Sequence, residues 1–342
     1  MITHSSHDIP RLEGQRHAAS IVVPVWNAAD VTSTCLRLLQ CTLGPDDEVI
    51  VVDNGSTDHT PHVLDQHRPW IRVVRNDENL GFAGGCNAGA AVAEKPVVVF
   101  LNNDTLPVAG WLEDLLHPFA AEDVGAAGAM SNFVSGPQLL HDEEYQPKTV
   151  ADVEERAAAL RERFGRVSSD VDRLVGFCLA VRRDVFEEIG GFDTSFGIGG
   201  CEDDDLSSRI RRAGLRLVIA HGAFMHHIGH QTFDANAVDW AAVEIDNHKI
   251  LKQKEASRPA LSVLLWCGHA VDRLLSTLVE IVDSPLSEDV ELLLLADDVD
   301  VVAPVLDGLD GDVGLVAAPD EASAWRTGLL RACGARRALI RA

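Results

Sequence analysis

The most informative stretch of the sequence is a run of oxygen-bearing side chains that directly follows five apolar residues. The apolar run Val97–Leu101 is typical of a buried strand, and Asn102, Asn103 and Asp104 come immediately after it. In an open α/β sheet, ligands bind at the carboxyl ends of the strands, where these three residues would lie. Carboxylate and amide oxygens are suitable ligands for Mg2+ or Mn2+. One interpretation is therefore a metal site, and the other is an ordinary strand-ending turn.

A second strand end and a glycine-rich segment could serve a phosphate-bearing ligand at the same edge. Asp53 follows the apolar run 49–52, so it would lie on the same sheet edge as Asp104. The segment 79–89 predicts a loop that approaches phosphates closely, because glycine has no side chain and a following helix start attracts anions. This segment is not a GxGxxG motif and is a weak signal by itself, and Asp53 could simply cap a turn.

Acidic and histidine residues in the second half of the chain could supply proton transfer and further metal ligands. The acidic run 202–205 offers a carboxylate for proton abstraction, although acids in a first helical turn also stabilise the helix dipole. His226 and His227 offer imidazole groups to a metal or a phosphate. His230 is better explained as a structural or surface histidine.

Apolar runs alternate with helical patterns along the chain, and this alternation predicts an α/β fold with a mostly parallel sheet. The predicted strands are 20–27, 48–53, 71–75, 97–101, 124–130, 174–181 and 215–220. Complete helices are predicted at 30–39, 111–119, 149–166, 184–189 and 237–255. Two further helices have one predicted bound each: one ends at about residue 66 and the other begins at residue 202. The helix 149–166 is expected to lie on the surface, and a lid over the site is the alternative.

Composition and charge exclude several classes of protein. The 342 residues carry 53 acidic and 29 basic side chains, for a formal net charge of -24. A nonspecific grip on nucleic acid or anionic lipid needs clustered Lys and Arg, so we expect no nucleic-acid partner and at most peripheral membrane association. The seven cysteines form no CxxC pair, which argues against a zinc site or a disulfide framework.

The ends of the sequence give expectations about location and domains. Without a signal peptide or an apolar run near 18 residues, we expect a cytoplasmic protein, with the inner face of the membrane as an alternative site. Residues 1–18 are polar and are expected to be a flexible lead-in to a domain at 19–256.

Residues 257–342 repeat the pattern of the first strands. The paired segments, at an offset of about 242 residues, are 20–23 and 262–265, 48–52 and 291–295, 72–74 and 314–316, and 96–100 and 338–342. The second copy has Trp266 in place of Pro24 and Glu321 in place of Asn79, and it lacks the glycine-rich segment. We interpret it as a degenerate, inactive α/β half-module for homo-oligomerisation or a protein partner, with chance similarity as the alternative.

Seven segments of residues 19–235 resemble, in order, the motifs of inverting family 2 glycosyltransferases of the GT-A fold, of the rhamnosyltransferase-like kind. They read SIVVPVWN, DEVIVVDNGSTD, VVRNDENLGFAGGCNAG, VVVFLNNDT, GFCLAVRRDVFEEIGGFD, CEDDDLSSRIRRAG and MHHIGHQTF. Each segment is a modest signal alone, and the seven together in order are a strong one. The resemblance implies a GT-A type nucleotide-diphospho-sugar transferase fold.

The resemblance also implies a role for each matched residue. The donor nucleotide sugar would contact Pro24, Trp26, Asn27, Asp53, Asn79, Gly81, Asn87 and Asn103. A divalent metal, Mn2+ or Mg2+, would be held by Asp104 with Asn102, and by His227 or, as second choice, His226. Asp203 would be the catalytic base, with Glu202 beside it. The first position of the family's DXD metal motif is Asn102 here, which leaves one fewer charge on the metal.

The implied activity is metal-dependent, inverting hexosyl transfer in polysaccharide biosynthesis. The donor would be a UDP- or dTDP-linked sugar, and the acceptor a hydroxyl of a glycan, a lipid-linked sugar or a protein. A nucleotidyltransferase would need a basic phosphate loop that the sequence does not show. A non-catalytic nucleotide-sugar-binding or scaffold module is the other alternative, favoured by Asn102 and the degenerate tail. All these roles require Asp53, Asp104 and Asp203 to meet in one cleft.

Overall fold

The computed structural model describes residues 17–142, 144–229 and 231–256, and four strands beyond them. Almost all of the expected lead-in at 1–18 lies outside the described residues, and His230 also lies outside them. No helix in the described parts of the chain is long and apolar enough to cross a membrane.

The order of helices and strands follows the predicted alternation. The helices are α1 Ala29–Thr42, α2 Thr60–His67, α3 Gly81–Ala90, α4 Trp111–Leu116, α5 Val150–Phe164, α6 Arg183–Glu188, α7 Glu202–Arg212, α8 Gln231–Ala235 and α9 Trp240–Ala256. The strands up to residue 256 are β1 Ala19–Val25, β2 Glu48–Asn54, β3 Arg72–Asn76, β4 Val97–Leu101, β5 Thr105–Leu106, β6 Val124–Met130, β7 Ser168–Val171, β8 Cys178–Arg182, β9 Arg216–Phe224 and β10 His226–His227. The strands beyond are β11 Leu261–Trp266, β12 Val290–Ala296, β13 Val313–Ala317 and β14 Arg336–Arg341.

Eight strands form one mostly parallel sheet in the order β3-β2-β1-β4-β8-β6-β9-β7. Strands β1 to β4 are parallel, whereas β8 runs antiparallel to β4 and β6, and β7 antiparallel to β9. Because β8 is reversed, the chain enters it at the edge where β4 ends, and the Asn102 N–H donates to the Phe177 carbonyl at 2.9 Å. The segments that flank β4 and β8 therefore meet at the ligand-binding edge of the sheet.

Apolar residues cover both faces of the sheet, which explains the near-continuous apolar runs of β1, β2 and β4. Ile21 and Val23 point to a core shared with α1 and α4. Val22, Ile50 and Val98 point to the opposite core, which α3, α6 and α7 complete. The central strands are thus fixed from both sides, and their carboxyl ends form a rigid base for a site.

The predicted loop at 79–89 is wrong for most of that segment. Residues from Gly81 onward form helix α3, and the glycines serve close packing. A Cβ on Gly89 would lie 2.4 Å from the Val22 side chain. Gly81 has φ +73°, and a Cβ there would lie 1.8 Å from the carbonyl oxygen of Gly197. The glycine pattern therefore reflects a helix that lies directly against the sheet and a neighbouring loop.

Helix α5 is the surface helix predicted at 149–166. Its apolar residues Val153, Ala157 and Leu160 are buried in the core, and Thr149 begins it with a capping box to Asp152. None of its residues lines the cleft described below, so it does not act as a lid in this structure.

The four C-terminal strands form a separate parallel sheet in the order β13-β12-β11-β14. This order matches β3-β2-β1-β4, and Ser262 lies opposite Glu291 as Ser20 lies opposite Glu48. The fourth strand departs from a uniform offset, because Arg337 takes the place opposite Ser262 that Val98 takes opposite Ser20. The division into two domains and the repeat remain predictions.

Candidate functional site

A cleft of about 770 Å³ opens at the carboxyl edge of the sheet. Among the residues predicted to form the site, those that line it are Pro24, Trp26, Asn79, Gly81, Asn102, Asn103, Asp104, Glu202, Asp203 and His227. Four others do not line it, namely Asn27, Asp53, Asn87 and His226. Two of the three acids expected to share a cleft therefore do so, and Asp53 does not.

One end of the cleft is built around Asp104 and His227. The short antiparallel pair β5–β10 places His227 opposite Thr105, next to the end of β4. The imidazole stacks on the Phe177 ring, with centroids 5.3 Å apart. Its Nε2 lies 3.0 Å from Asp104 Oδ1, and its Nδ1 lies 2.9 Å from the carbonyl oxygen of Phe133.

These contacts fix the tautomer of His227. A carbonyl oxygen can only accept, so Nδ1 carries the hydrogen and the Nε2 lone pair of the neutral ring faces the Asp104 carboxylate. Two lone pairs at this distance repel unless a proton or a metal ion lies between them. Two ligands about 2.1 Å from an octahedral ion and at right angles are about 3.0 Å apart, so the pair fits a divalent metal.

The surroundings of Asp104 favour its charged form. Burial opposes ionisation, but a proton on His227 Nε2, lying between the two side chains, and the Gln231 N–H outweigh it, so the pKa of Asp104 lies below its ordinary value. The amide nitrogen of Asn102 lies 3.4 Å from His227 Nε2, so a 180° turn of the amide would bring its oxygen to the same place. In the described ranges no cluster of three or more His, Cys, Asp or Glu residues has metal-binding geometry.

Asp53 stands just outside the cleft, and its neighbour Asn54 lines it. Asp53 accepts a hydrogen bond from the Ser56 N–H at 3.1 Å and lies 3.7 Å from the Arg75 guanidinium. This is the turn-capping geometry that the sequence left open as an alternative. Its contact with the nucleotide base remains a prediction.

Asn54 is a site residue that the sequence analysis missed. Its side chain donates to Asn79 Oδ1 and the Gly81 carbonyl, and accepts from the Leu80 N–H. The Gly81 N–H bonds to Asn79 Oδ1, and the Phe82 N–H bonds to the Ile198 carbonyl. The expected anion-binding amides at the start of α3 are thus already bonded within the protein.

The other predicted asparagines brace the backbone around the cleft. Asn27 accepts hydrogen bonds from two N–H groups in the loop after β2, and Asn103 is buried between Thr32 and Thr232. Asn87 bonds to both backbone groups of Phe192. His226 turns away from the cleft and lies 3.2 Å from the Tyr145 hydroxyl, so His227 is the histidine that the structure places beside Asp104.

The acidic start of α7 lines another part of the cleft. Asp203 Oδ2 accepts from the Gly176 N–H at 2.8 Å, and its Oδ1 accepts from the Asp204 N–H at 2.9 Å. Burial and the charge of Asp204 raise the pKa of Asp203 to about 6. Burial and the charge of Asp203 raise the pKa of Glu202 to about 8. Glu202 Oε2 is buried without a hydrogen-bond partner, so it can serve a bound ligand.

Arg173 is a second residue that the sequence analysis missed. Its guanidinium donates to both carboxylate oxygens of Asp204, and it lines the cleft. The nearest sequence signal was an isolated Arg before an apolar run, which is common on protein surfaces. The pairing fixes the Asp204 carboxylate, whereas the partners of the Asp203 carboxylate are two backbone N–H groups.

Comparisons with known proteins agree with this geometry. The model of the family described as glycosyl transferase family 2 matches residues 20–190, half of the chain. A second model, described as the N-terminal domain of galactosyltransferase, matches residues 160–231. Together the matched ranges contain both parts of the cleft.

Two curated relatives are similar over most of the matched region. Glycosyltransferase AglE of Haloferax volcanii is 27% identical over 213 residues, covering 61% of this chain and 66% of the relative. N-acetylglucosaminyl-diphospho-decaprenol L-rhamnosyltransferase of Mycobacterium tuberculosis is 28% identical over 211 residues, covering 54% of this chain and 67% of the relative. The chain thus spans about two thirds of the length of each.

A solved structure supports the fold. The crystal structure of GalNAc-T7 with UDP, GalNAc and Mn2+ superposes with a TM-score of 0.51 at 15% identity, covering 63% of this chain and 44% of that one. The family match, the mostly parallel sheet and the cleft at its carboxyl edge lead to one conclusion. The chain belongs to glycosyl transferase family 2 and has the GT-A fold of a glycosyltransferase.

Proposed function

We propose that the protein transfers a sugar from a nucleoside-diphosphate sugar to an acceptor hydroxyl, with a divalent metal and with inversion at the anomeric carbon. The observation that carries the proposal is the pairing of Asp104 with His227 in a cleft that also holds Asp203. The two groups suit the two tasks of the reaction, which are to hold the diphosphate leaving group and to take a proton from the acceptor.

The donor would lie along the edge formed by β1, β2 and β4. Pro24, Trp26, Asn54 and Asn79 line this part of the cleft, and the Asp104–His227 pair lies beyond them. A bound Mn2+ or Mg2+ would supply charge stabilisation for the departing nucleoside diphosphate. The N–H groups at the start of α3 are already bonded within the protein, so fewer of them are free to bind the diphosphate. The charge of a metal ion is therefore more necessary. The structural neighbour that contains UDP and Mn2+ supports this arrangement.

Asp203 is better placed than Glu202 to be the base. Two backbone N–H groups orient its carboxylate, and its pKa of about 6 leaves it ionised at neutral pH. It would take the proton of the acceptor hydroxyl as that oxygen attacks the anomeric carbon from the face opposite the leaving group. Glu202, with a pKa of about 8, would stay protonated and could donate a hydrogen bond from its unpartnered oxygen.

The donor and acceptor are proposed only by class. A UDP- or dTDP-linked hexose is the donor class, and a glycan, lipid-linked sugar or protein hydroxyl is the acceptor class. The name of the mycobacterial relative, which specifies a diphospho-decaprenol-linked sugar, favours a lipid-linked acceptor and a role in polysaccharide biosynthesis.

The test combines binding and turnover. Thermal unfolding with UDP-, dTDP- and GDP-sugars, each with and without Mn2+, should show one donor whose stabilisation requires the metal, since a ligand raises stability by RT ln(1 + [L]/Kd). Transfer or slow hydrolysis of that donor should then release the nucleotide, and proton NMR of the first sugar product should show the inverted anomer. Metal-dependent donor binding with no turnover on any acceptor would favour the non-catalytic alternative, and a retained anomer would exclude the inverting mechanism.

A further inference from the structure

The catalytic acids are carried by a loop with an unusual backbone. Residues 197–201, here called the acid loop, lead directly into Glu202 and Asp203. Positive φ angles occur at Gly197, Gly199 and Gly200, and also at Cys201, with φ 73°. A non-glycine residue in this region is strained, so its conformation must be held by contacts with the rest of the protein.

One side chain of α9 supplies such contacts. Asn247 Nδ2 donates hydrogen bonds to the carbonyl oxygens of Phe196 and Gly199, each at 2.8 Å. Asn247 is 5% exposed and is the buried residue of α9. The two bonds fix the acid loop at both ends of the turn that precedes the acids.

Two further contacts attach the same face of α9. The Trp240 ring lies against Gly200, where a Cβ would come within 2.9 Å of it. Lys254 pairs with Asp193 and, at 3.0 Å, with Asp205 on α7. The helix is otherwise mostly exposed, so polar contacts rather than an apolar core hold it against the loop.

The acid loop also contacts the donor end of the cleft. The Ile198 carbonyl accepts from the Phe82 N–H at the start of α3, and Gly197 lies against Gly81. The loop therefore lies between the helix that borders the donor and the helix that carries the acids, and Asn247 holds it from the outer side.

We propose that Asn247 is a positioning residue for the catalytic acids, acting through the acid loop. Loss of its two donors would leave two carbonyls without a partner and would let the left-handed segment relax, which would displace Asp203 from the reacting hydroxyl. A displacement of about 1 Å can cost about 10²-fold in rate. The family matches end at residue 231, so the working unit extends through α9, beyond the matched residues. This inference rests on the proposed transferase function.

The main experiment replaces the amide with an apolar group of similar size. Asn247→Leu should lower kcat for nucleotide release by about 10- to 100-fold, while the Kd of UDP with Mn2+, measured by calorimetry, changes by less than about threefold. Asn247→Ser, which keeps one donor, should lie between Leu and the wild type. The matched control is Ile245→Ala on the exposed face of α9, where the residue is 60% exposed, and it should behave as the wild type.

The acidic limb of the pH–rate profile should distinguish positioning from a general loss of stability. A looser acid loop admits water to Asp203, so the pKa of the base falls towards its ordinary value and the limb moves to lower pH. Arg173 and Asp204, which face Asp203 from the neighbouring segments, are unchanged in the variant. The proposal would be overturned if Asn247→Leu lowered the rate but left both the acidic limb of the pH–rate profile and the hydrogen exchange of the acid loop unchanged.

Hydrogen exchange gives a readout that needs no turnover. In Asn247→Leu, amides of residues 197–203 and of Gly176 should exchange at least about tenfold faster than in the wild type, and those of β2 should not. Equal exchange in the acid loop would refute the inference even if no donor were found. Faster exchange in Asn247→Leu, together with a wild type that binds no nucleotide, would instead refute the proposed function and leave the positioning of the acids supported.

Discussion

Two parts of the cleft hold carboxylates whose pKa values the protein shifts in opposite directions. Asp104 is paired with the His227 imidazole, and its pKa lies below the ordinary value. Glu202 is buried and Asp203 half-buried next to further acids, and their pKa values lie above it. Burial raises the pKa of all three groups, and only at Asp104 do the partners outweigh it.

This contrast teaches how one type of group can serve two tasks. A permanently charged carboxylate suits a cation, whereas a carboxylate with a pKa near neutrality can exchange protons with a substrate. Five predictions test this division of roles, beginning with the change expected to cost most.

Removing the Asp104 carboxylate should have the largest effect. Asp104→Ala should lower kcat for nucleotide release by about 10³- to 10⁴-fold, since metal stabilisation of the leaving group contributes several kcal/mol. Mn2+ should also lose its effect on donor binding, measured by calorimetry. Glu94→Gln, whose carboxylate is 72% exposed, is the matched control and should keep full activity. Undiminished metal-dependent binding in Asp104→Ala would show that the metal site lies elsewhere.

Neutralising the base should come next. Asp203→Asn keeps the shape and can still accept from the Gly176 N–H, but it cannot take a proton, so kcat should fall by about 10²- to 10⁴-fold. Binding of the donor with Mn2+ should stay within about threefold of the wild type, because the Asp104 carboxylate is untouched. Transfer at the wild-type rate in a folded Asp203→Asn protein would contradict the assignment.

The pH profile should report the raised pKa directly. A base acts only when deprotonated, so kcat/KM at saturating Mn2+ should fall about tenfold per pH unit below a midpoint near 6. If the base were an aspartate of ordinary pKa, kcat/KM would stay unchanged until the pH fell to about 4. A midpoint near 4 in the measured profile would show that Asp203 is not held in the buried, acid-rich setting seen here.

The smallest effect on rate is expected at Glu202. If the side chain acts as a neutral donor, Glu202→Gln should change kcat at pH 7 by less than about threefold, whereas Glu202→Leu should cost at least about tenfold. A loss in Glu202→Gln as large as that in Asp203→Asn would make Glu202 the base instead.

The same variant should reveal the raised pKa as a stability effect. Folding favours the protonated form of Glu202. Its contribution to the free energy of unfolding is therefore full below about pH 4.5 and is lost as the pH rises towards about 8. Glutamine cannot ionise and escapes this loss. The Tm of Glu202→Gln relative to the wild type should therefore increase from pH 5 to pH 9, by scanning calorimetry.

The C-terminal strands offer a second contrast, because we propose that they repeat the framework of β1 to β4 without its chemistry. The strand order and the Ser–Glu register of β1 and β2 recur in β11 and β12, which supports our proposal of a degenerate repeat. In the tail sequence, Trp266 takes the place of Pro24, Ala296 that of Asp53 and Glu321 that of Asn79. Function in this fold depends on residues at the strand ends, and a sheet can be copied without them.

Most of the framework could be predicted from the sequence. The apolar runs that became β1, β2, β4 and β6 were located to within a few residues, because burial on both faces requires continuous apolar strands. The glycine-rich helix α3 was mistaken for a loop, because glycine is a poor helix former and only tight packing against Val22 explains its presence. The pairing of Asn54 with α3 had no signal in the sequence pattern.

By itself, the sequence determined the α/β alternation, the strand-end position of Asp104 and the acidic helix start at Asp203, because local patterns of burial and capping dictate them. Only the tertiary structure decided that His227 rather than His226 faces Asp104, that Asp53 stands outside the cleft, and that Asn247 reaches the acid loop. These choices depend on contacts between residues distant along the chain. The reversed strand β8 and the packing of α9 set those contacts, and neither follows from a local pattern of residues.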